Sequence, residues 1–147
     1  MPKHFETRVL PYSSKQIFNL VSDIESYPEF LPWCIGARIL KKEKNIIYAD
    51  LIVGFKLVRE VYTSKVILKS PSTIDVKYEK GPFKHLINNW KFKDLGDECE
   101  IQFFIDFEFK SRILKGIMGV FFGEAVNRMV TAFENRANVV YGKKVRV

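Results

Sequence analysis

Tyr27-Pro28-Glu29-Phe30-Leu31-Pro32-Trp33-Cys34 is the segment on which the interpretation of this chain depends. Each of its two prolines fixes its own backbone and pushes the preceding residue out of the helical region. The segment is therefore predicted to be neither the middle of a helix nor a central strand. We call it the elbow (residues 27–34). It is a stiff loop with four large apolar side chains, those of Tyr27, Phe30, Leu31 and Trp33.

Two structural roles are open for the elbow. Buried aromatic side chains usually pack against a core, so the elbow can be a lid on the interior. Ligand-binding residues favour loops held by a rigid scaffold, so the elbow can instead form the rim of a pocket for an apolar ligand. Both roles require an apolar surface elsewhere in the chain that receives these side chains.

The composition indicates one globular domain built around large rings. A length of 147 residues corresponds to one domain, and 47% hydrophobic with 28% charged residues is ordinary for a soluble protein. The 13 Phe, 6 Tyr and 2 Trp predict a core of large flat side chains. Such a core can leave or fill a sizeable interior space.

Few residues are suited to bind a metal or to form a disulfide. Cys34 and Cys99 are too far apart in sequence for a CxxC motif, and only His4 and His85 accompany them. We expect no metal, no cofactor, no disulfide framework and a reducing, cytoplasmic location. The N-terminal residues lack the apolar centre of a signal peptide, and no apolar run is long enough to span a membrane.

The formal net charge of +7, from 24 Lys and Arg against 17 Asp and Glu, favours acidic partners. Nucleic acid, a ribosome and an anionic membrane surface are partners of this kind. An ordinary solvated surface is the alternative explanation. The basic residues form no dense tract, and the nearest approaches are Lys41-Lys42 with Lys44 and the tail Lys143-Lys144-Val145-Arg146.

Local patterns near the N-terminus predict a strand and then a helix. Phe5, Thr7 and Val9 alternate with polar residues, as in a short strand. Ser13 and Gln16 have the spacing of a capping box, and apolar residues follow at helical spacing. A helix of about ten residues is expected there, ended by the elbow.

A period of two dominates from Ile35 to Lys110 and predicts five or six antiparallel strands. Short turns between consecutive strands indicate a meander with one buried face. Turn-forming residues separate the apolar runs at Glu43-Lys44-Asn45, Pro71-Ser72, Gly81-Pro82 and Gly96-Asp97.

After Ser111 the apolar period returns to about 3.6 and predicts a long helix that ends near Tyr141, before the stop signal Gly142. At about 1.5 Å per residue, this helix is a rod of roughly 45 Å. Glycine costs about 1 kcal/mol relative to alanine inside a helix. The first half is therefore expected to be weak, kinked or movable, because it contains Gly116, Gly119 and Gly123.

Together these elements predict an α+β fold in which a curved antiparallel sheet wraps around a long C-terminal helix. Only that helix is long enough to cover the apolar face of the sheet. A twisted sheet that wraps one helix tends to leave a space between its concave face and the helix. This arrangement is the helix-grip fold.

Several motifs resemble the coenzyme Q-binding branch of the START/polyketide-cyclase superfamily, which has a helix-grip, Bet v 1-like fold. The elbow, preceded by Asp23-Ile24, is the most specific motif. The resemblance covers about residues 3–142, so residues 1–147 are expected to form a single coenzyme Q-binding START-like domain. We expect no transit peptide, which resembles the bacterial rather than the mitochondrial members. The remaining motifs are Gly81-Pro82-Phe83 with Leu86, Trp90 with Phe92, Ala132-Phe133, Arg136-Ala137 and Tyr141-Gly142.

The resemblance implies a tunnel for a long isoprenoid quinone such as ubiquinone, and two competing roles. In one role the protein is a non-catalytic chaperone that delivers ubiquinone to respiratory enzymes. In the other it is a ribosome association toxin that binds the large ribosomal subunit and blocks subunit joining. We expect a monomer in both cases. The side chains expected to contact the lipid are those of Trp33, Phe55, Leu86, Trp90, Phe107, Met118, Phe121, Met129 and Phe133, with plain core packing as the alternative for the helix residues.

No pattern in the sequence predicts catalysis, and we expect the protein not to be an enzyme. Nucleophile-elbow, Ser-His-Asp and phosphate-binding motifs are missing from the sequence. A cyclase or hydrolase of the same superfamily is a third hypothesis, for which no acid–base pair can be named. We interpret His85 as a surface residue, Cys34 as a buried thiol, and Asp50 and Asp106 as solvated carboxylates. Arg59, where the apolar alternation changes phase, is expected either to point inward to a ligand oxygen or to form a cross-strand salt bridge.

A lipid tunnel also needs an entrance. The apolar first half of the C-terminal helix and the Phe30-Leu31 part of the elbow are expected to open together against a membrane. Lys110, Arg112 and Lys115 lie beside them and can contact anionic headgroups, each contributing about 1 kcal/mol. The protein is therefore expected to be peripheral at the inner face of the cell membrane during lipid exchange.

Overall fold

The structure, a computed structural model, describes residues 3–55 and 58–142, and their side chains except at 55, 58 and 117–122. The described chain contains seven strands, two α-helices and a 3-10 helix (Ile24–Glu29) between α1 and β2. In chain order the other elements are β1 (Lys3–Leu10), α1 (Ser14–Ser22), β2 (Cys34–Lys42), β3 (Ile46–Phe55), β4 (Val58–Lys69), β5 (Thr73–Lys80), β6 (Phe83–Asp94), β7 (Cys99–Phe109) and α2 (Arg112–Tyr141).

The strands form one antiparallel sheet in the order β1-β7-β6-β5-β4-β3-β2. β2 to β7 are the predicted meander, here with six strands, and β1 extends it by pairing with β7. α2 lies over the concave face, where its buried Val126, Val130 and Phe133 join one apolar cluster with residues of the sheet. The predicted helix-grip fold is thus confirmed.

Hydrogen bonds at both helix ends explain where α1 and α2 are placed. The predicted capping box is present, since Gln16 N–H donates to Ser13 Oγ at 3.1 Å and Ser13 N–H donates to Gln16 Oε1 at 2.9 Å. The Tyr141 hydroxyl at the end of α2 donates to the Gln16 carbonyl at 2.8 Å. The Tyr12 hydroxyl donates to the Gly142 carbonyl at 2.9 Å. The C-terminal end of α2 is therefore tied to the start of α1.

The elbow begins differently from the prediction, because Pro28 lies inside the 3-10 helix. The backbone makes two successive turns there, in which Ser26 N–H donates to the Asp23 carbonyl and Phe30 N–H donates to the Tyr27 carbonyl. Pro28 is the second residue of the latter turn, a position that its fixed φ suits and that leaves no donor unpaired. The prediction that this segment is not the middle of a helix did not include the short 3-10 helix, whose last two residues are Pro28 and Glu29.

β1 presents its polar side chains, not its apolar ones, to α2. Phe5 is 63% exposed, whereas the Arg8 guanidinium lies against the helix. Arg8 donates to Asn127 Oδ1 at 3.0 Å and to Thr131 Oγ1 at 3.2 Å, and it pairs with Glu134 at 3.2 Å. The alternation in the sequence thus predicts the strand correctly, while polar partners on α2 determine which face turns inward.

The glycines in the first half of α2 are not required by close packing. A Cβ added at Gly116 or at Gly123 would meet nothing within 4 Å. Gly119 lies among the residues whose side-chain positions are not described. Nothing in the described surroundings therefore opposes alanine at Gly116 or Gly123.

We expect the double variant Gly116→Ala/Gly123→Ala to raise the free energy of unfolding by about 2 kcal/mol, because alanine is favoured over glycine by about 1 kcal/mol per helical site. Urea titration measures this change. Gly81→Ala is the contrasting variant, since its φ is +145° and its Cβ would lie 2.7 Å from the Tyr62 Cβ, so it should destabilise. A double variant no more stable than the unmodified protein would contradict the expectation.

Candidate ligand-binding cavity

A cavity of about 180 Å³ lies between the concave face of the sheet, the elbow and α2. Most of its lining is apolar, and the walls come from α1, the 3-10 helix, the elbow, β3 to β7 and α2. An apolar cavity of about 150 Å³ is known to bind one benzene molecule. The cavity therefore has room for one ring or a short branched chain, and not for a long polyprenyl tail in full.

Small side chains in the middle of the sheet create this space. Ala49 of β3 and Ser64 of β4 are direct partners in the register, both buried and both lining the cavity. Nearby, the rings of Trp90 on β6 and Phe133 on α2 meet with centroids 5.1 Å apart. These two rings set the separation of sheet and helix, and the small Ala49 and Ser64 side chains do not fill the gap.

The nine predicted contact residues fall into three groups. Phe107 is not among the described lining residues, and it belongs to a second apolar cluster with Phe83 and Phe109. The side chains of Phe55, Met118 and Phe121 lie outside the described residues. The residues that do line the cavity are Trp33, Leu86, Trp90, Met129 and Phe133.

The polar part of the lining was missed in the sequence. Tyr62 and Ser64 of β4 and Asn88 of β6 all face the cavity. Ser64 and Asn88 interrupt otherwise apolar alternations, Tyr62-x-Ser64-x-Val66 and Leu86-x-Asn88-x-Trp90. That interruption was the available signal, since a polar residue on the buried face of a strand needs a partner.

The elbow combines the two roles considered for it. Its Tyr27 and Phe30 rings pack edge-on against Phe133, with centroids 5.5 and 5.3 Å away. Tyr27 also donates a hydrogen bond from its hydroxyl to the Val21 carbonyl. At the same time Tyr27 and Trp33 line the cavity. The elbow is therefore both packed on the core and part of the cavity wall.

Trp33 has a strained backbone. Its φ is +66°, in the left-handed region that bulky side chains avoid. Its carbonyl accepts a hydrogen bond of 2.8 Å from Gly54 N–H, which holds the residue against β3. Strain of this kind concentrates at functional sites and costs on the order of 1–3 kcal/mol. The strain supports a functional role for this part of the wall.

An open groove of about 600 Å³ lies on the outer side of the elbow, between it and α2. Leu31 and Pro32 line both this groove and the cavity. The two spaces are thus separated by a wall only one loop thick. A movement of Leu31 and Pro32 would connect the cavity with the outside.

Arg136 of α2 holds the elbow in place. Its guanidinium lies over the Phe30 ring at 5.1 Å from the centroid, and it pairs with Glu29 at 3.3 Å. The Arg136 Nε is buried and has no hydrogen-bond partner among the described residues. One cation thus makes both a ring contact and an ion pair with the elbow, in addition to the contacts of Tyr27 and Phe30 with Phe133.

The titratable groups in the cavity wall are held in their neutral forms. Burial raises the pKa of the Tyr27 and Tyr62 phenols well above their usual range. At Tyr27 the neighbouring Tyr62 raises the pKa further. Burial also raises the pKa of the Cys34 thiol to about 11. Neutral hydroxyls and thiols donate hydrogen bonds but are weak nucleophiles. This wall is suited to binding more than to chemistry.

Two carboxylates that we interpreted as solvated are instead held by partners on the convex face. Asp106 is only 9% exposed, and its Oδ1 lies 3.2 Å from Nε2 of His85, which is half-buried and not a free surface residue. Asp50 accepts a hydrogen bond of 2.5 Å from the buried Thr63 hydroxyl. Those interpretations were wrong because cross-strand neighbours cover these side chains.

Arg59 does not reach the cavity. It pairs with Gly54 in the β3–β4 register and is exposed, so the alternative that it points inward to a ligand was wrong. The other alternative, a cross-strand salt bridge, is also not formed within the described residues. In the described part of the chain no group of three His, Cys, Asp or Glu residues is placed to hold a metal ion. None of the described helices combines the length and the apolar character needed to cross a bilayer.

The fold and the apolar interior define a START-type helix-grip protein. The family described as polyketide cyclase / dehydrase and lipid transport matches residues 10–134, and the chain belongs to this family. The chain is 35% identical over 144 residues to the ribosome association toxin RatA of Pseudomonas aeruginosa, covering 97% of this chain and 100% of the relative. It is 34% identical over 147 residues to the mitochondrial coenzyme Q-binding protein COQ10 homolog B of Xenopus laevis, covering 97% of this chain and 60% of the relative.

Solved structures agree with this assignment. The solution structure of an 18 kDa protein from Caulobacter crescentus is 35% identical, with a TM-score of 0.77 over 97% of this chain and all of that one. The Zhui aromatase/cyclase from Streptomyces superposes with a TM-score of 0.83 over 98% of this chain and 99% of that one, at 14% identity. The second likeness concerns the fold alone.

We expect the Cys34 thiol to react slowly with iodoacetamide in the folded protein. A rise of its pKa from 9.0 to about 11 lowers the thiolate fraction at pH 8 about a hundredfold. The alkylation rate should increase about tenfold per pH unit between pH 8 and pH 10. Mass spectrometry of the Cys34 peptide follows the reaction, with Cys99→Ser as the background that leaves one thiol. If Cys34 were alkylated at pH 8 as fast in the folded protein as in the urea-unfolded chain, the raised pKa of its thiol would be contradicted.

Proposed function

We propose that the protein binds an isoprenoid quinone such as ubiquinone in this cavity and carries it unchanged, as a lipid chaperone that supports respiratory electron transport. The apolar cavity beside a thin, strained wall is the observation that carries the proposal. A relative named as a coenzyme Q-binding protein supports the ligand class. On this proposal the whole chain acts as one coenzyme Q-binding START-like domain.

Burial energies favour a ligand with a branched apolar chain. One buried CH₂ contributes about 0.8 kcal/mol, so one five-carbon isoprene unit contributes roughly 3–4 kcal/mol before ordering costs. A hydrogen bond to a quinone oxygen contributes only about 0.5–1.5 kcal/mol net. The tail therefore dominates affinity, and a tail longer than the cavity of about 180 Å³ must continue outside it.

A purely binding role agrees with the chemistry of the wall. The phenols and the thiol in the wall stay protonated, and the His85–Asp106 pair lies on the convex face, away from the cavity. Fold neighbours include an aromatase/cyclase, so the absence of turnover is part of the proposal and is tested with it. The extracted ligand should be chemically identical to the quinone supplied.

Lipid exchange at an anionic membrane surface is part of the proposal. Ile113, near the start of α2, is 74% exposed, and the exposed Lys110 and Arg112 lie beside it. Lys115 contributes less, because it pairs with Glu108 at 2.8 Å. An exposed apolar side chain flanked by cations suits the headgroup region of a bilayer.

We expect Met129→Lys to lower copurified quinone at least about tenfold, because an ammonium group at the cavity wall is costly to desolvate. Solvent extraction and mass spectrometry of the purified protein measure the quinone. Val139→Lys is the matched control, since Val139 lies on the same helix and is 77% exposed. A folded Met129→Lys variant with an unchanged quinone content would contradict the proposal, and so would unmodified protein that contains no quinone.

A second candidate function, association with the large ribosomal subunit, is favoured by a basic row on the convex face. Lys41, Tyr48, Lys65 and Lys77 are successive register partners across β2, β3, β4 and β5. Lys41 and Lys65 lie on the two strands that flank β3, and the Nζ of each is 5.9 Å from the centroid of the Tyr48 ring. Lys41 pairs with Glu43, while Lys65 and Lys77 form no ion pair within the described residues. Cations around an aromatic ring suit an RNA backbone, and relatives named as ribosome association toxins add support.

If the basic row binds ribosomal RNA, Lys65→Glu/Lys77→Glu should abolish cosedimentation with large subunits at moderate salt. Loss of two phosphate contacts should also reduce the slope of log affinity against log salt, measured at low salt, by about 1.4 to 1.8. Lys15→Glu/Lys93→Glu makes the same charge change at two other exposed lysines and should bind normally. Equal binding by the row variant and the unmodified protein would exclude the row as the contact surface.

A further inference from the structure

We propose that the cavity contains a hydrogen-bonding site for the ring of the ligand, formed by the Tyr62 and Ser64 hydroxyls and the Asn88 amide. This inference rests on the proposed function and adds the orientation of the ligand. The ring and its oxygens enter first, and the isoprenoid tail leaves past Leu31 and Pro32 into the outer groove.

Ser64 is the central member of this site. It is 2% exposed and lines the cavity, yet its hydroxyl makes no hydrogen bond within the described part of the chain. Buried hydroxyls are normally bonded, so an unbonded one on a cavity wall indicates a partner that occupies the cavity. The position opposite Ala49 in the register leaves space in front of it.

Tyr62 adds a second donor two residues earlier on the same face of β4. Its ring is fixed by an edge-on contact with Phe83, with centroids 5.4 Å apart. Its hydroxyl also has no hydrogen-bond partner among the residues that the structure describes. Because burial raises the pKa of this phenol, the hydroxyl stays protonated and can donate a hydrogen bond to a ligand oxygen.

Asn88 approaches the cavity from β6. Its Nδ2 donates to the Phe104 carbonyl at 2.9 Å, which fixes the amide. The second N–H and the Oδ1 then have no bond within the described chain and are available to a ligand. Asn88 lies opposite Val76, and Val76 lies opposite Val66, so it is two strands from β4 on the same concave face.

The three groups match a ring with several oxygen acceptors better than a hydrocarbon. Two hydroxyls and an amide N–H supply donors, and a quinone with carbonyl and ether oxygens supplies only acceptors. The cavity volume of about 180 Å³ suits one such ring. A hydrocarbon chain at this place would leave the Tyr62 and Ser64 hydroxyls and the second Asn88 N–H without a partner.

The direction of the tail follows from the walls. β3 to β7 close one side of the cavity with paired backbone, while the elbow closes the other with a single loop. Leu31 and Pro32 separate the cavity from the groove. The groove is of mixed character: Phe30 and Ala132 are apolar, whereas Glu29, Asn127, Arg128, Thr131 and Asn135 are polar. A tail that starts at the ring and cannot stay inside has its shortest route through this loop.

The test compares two probes on three variants. Ubiquinone with one isoprene unit carries the ring oxygens, and the isoprenoid hydrocarbon myrcene lacks them. Isothermal titration calorimetry measures the affinity for both probes. Quinone binding should also quench tryptophan fluorescence, because Trp33 and Trp90 line the cavity. We expect Tyr62→Phe, Ser64→Ala and Asn88→Leu each to weaken quinone binding about two- to tenfold, the range of one lost hydrogen bond, with myrcene affinity unchanged or improved. Ser72→Ala, at an exposed turn, is the matched control.

The outcomes separate this inference from the proposed function. Equal loss for both probes, or no loss for the quinone, would overturn the hydrogen-bonding site while leaving lipid binding intact. If the unmodified protein bound neither ubiquinone nor myrcene, the proposed function itself would be overturned. Thermal unfolding of each variant shows whether a loss of binding reflects unfolding. If Ser64→Ala or Asn88→Leu destabilises the protein, the result for Tyr62→Phe decides, because that variant loses only one oxygen atom.

The orientation has its own measurement. A ubiquinone with a photoreactive diazirine at the end of a three-isoprene tail should label the groove segments 28–32 and 127–135 on irradiation. Mass spectrometry of the digested protein locates the label. Labelling of β4 or β6 instead would mean that the tail, and not the ring, occupies the inner end of the cavity.

Discussion

The ring of Phe133 joins α2 to both the sheet and the elbow. This ring is 4% exposed and meets Trp90 of β6, Tyr27 and Phe30 edge-to-face, with centroids 5.1, 5.5 and 5.3 Å away. Each such pair contributes about 0.5–1.5 kcal/mol beyond the burial of its area. Sheet, elbow and helix therefore share one contact point, and the cavity beside it exists because that point holds them a ring's width apart. A smaller side chain at this position would remove all three ring contacts and enlarge the cavity that Phe133 lines.

Most of the fold follows from short-range patterns in the sequence, and the exceptions have long-range causes. The capping box at Ser13, the meander and the helix stop at Gly142 each depend on residues close together in the chain. The inward face of β1 does not. Arg8 points to α2 because Glu134, 126 residues later, accepts its charge, and no alternation reveals such a partner. Asp106 was misjudged for the same reason, since its partner His85 lies on the neighbouring strand.

The site was only partly predictable. Large apolar residues such as Trp33 and Phe133 were expected at the cavity, and they line it, because bulky side chains near the elbow must pack inward. Ser64 and Asn88 were missed because each appears in the sequence as one polar interruption of an apolar strand. Only the register places them on one wall. The volume of the cavity could not be predicted either, since it depends on how closely Trp90 and Phe133 approach and not on any pattern of residue types.

The order of the elements affects how the protein folds during its synthesis. α2 is 30 residues long and follows all seven strands, so the sheet leaves the translating ribosome before the helix that covers it. At synthesis rates of about 5–20 residues per second, the apolar concave face of the sheet stays uncovered for a time on the order of seconds. During that interval the uncovered apolar face of the new sheet favours aggregation. The speed at which the last codons are translated therefore sets how long this protein remains vulnerable.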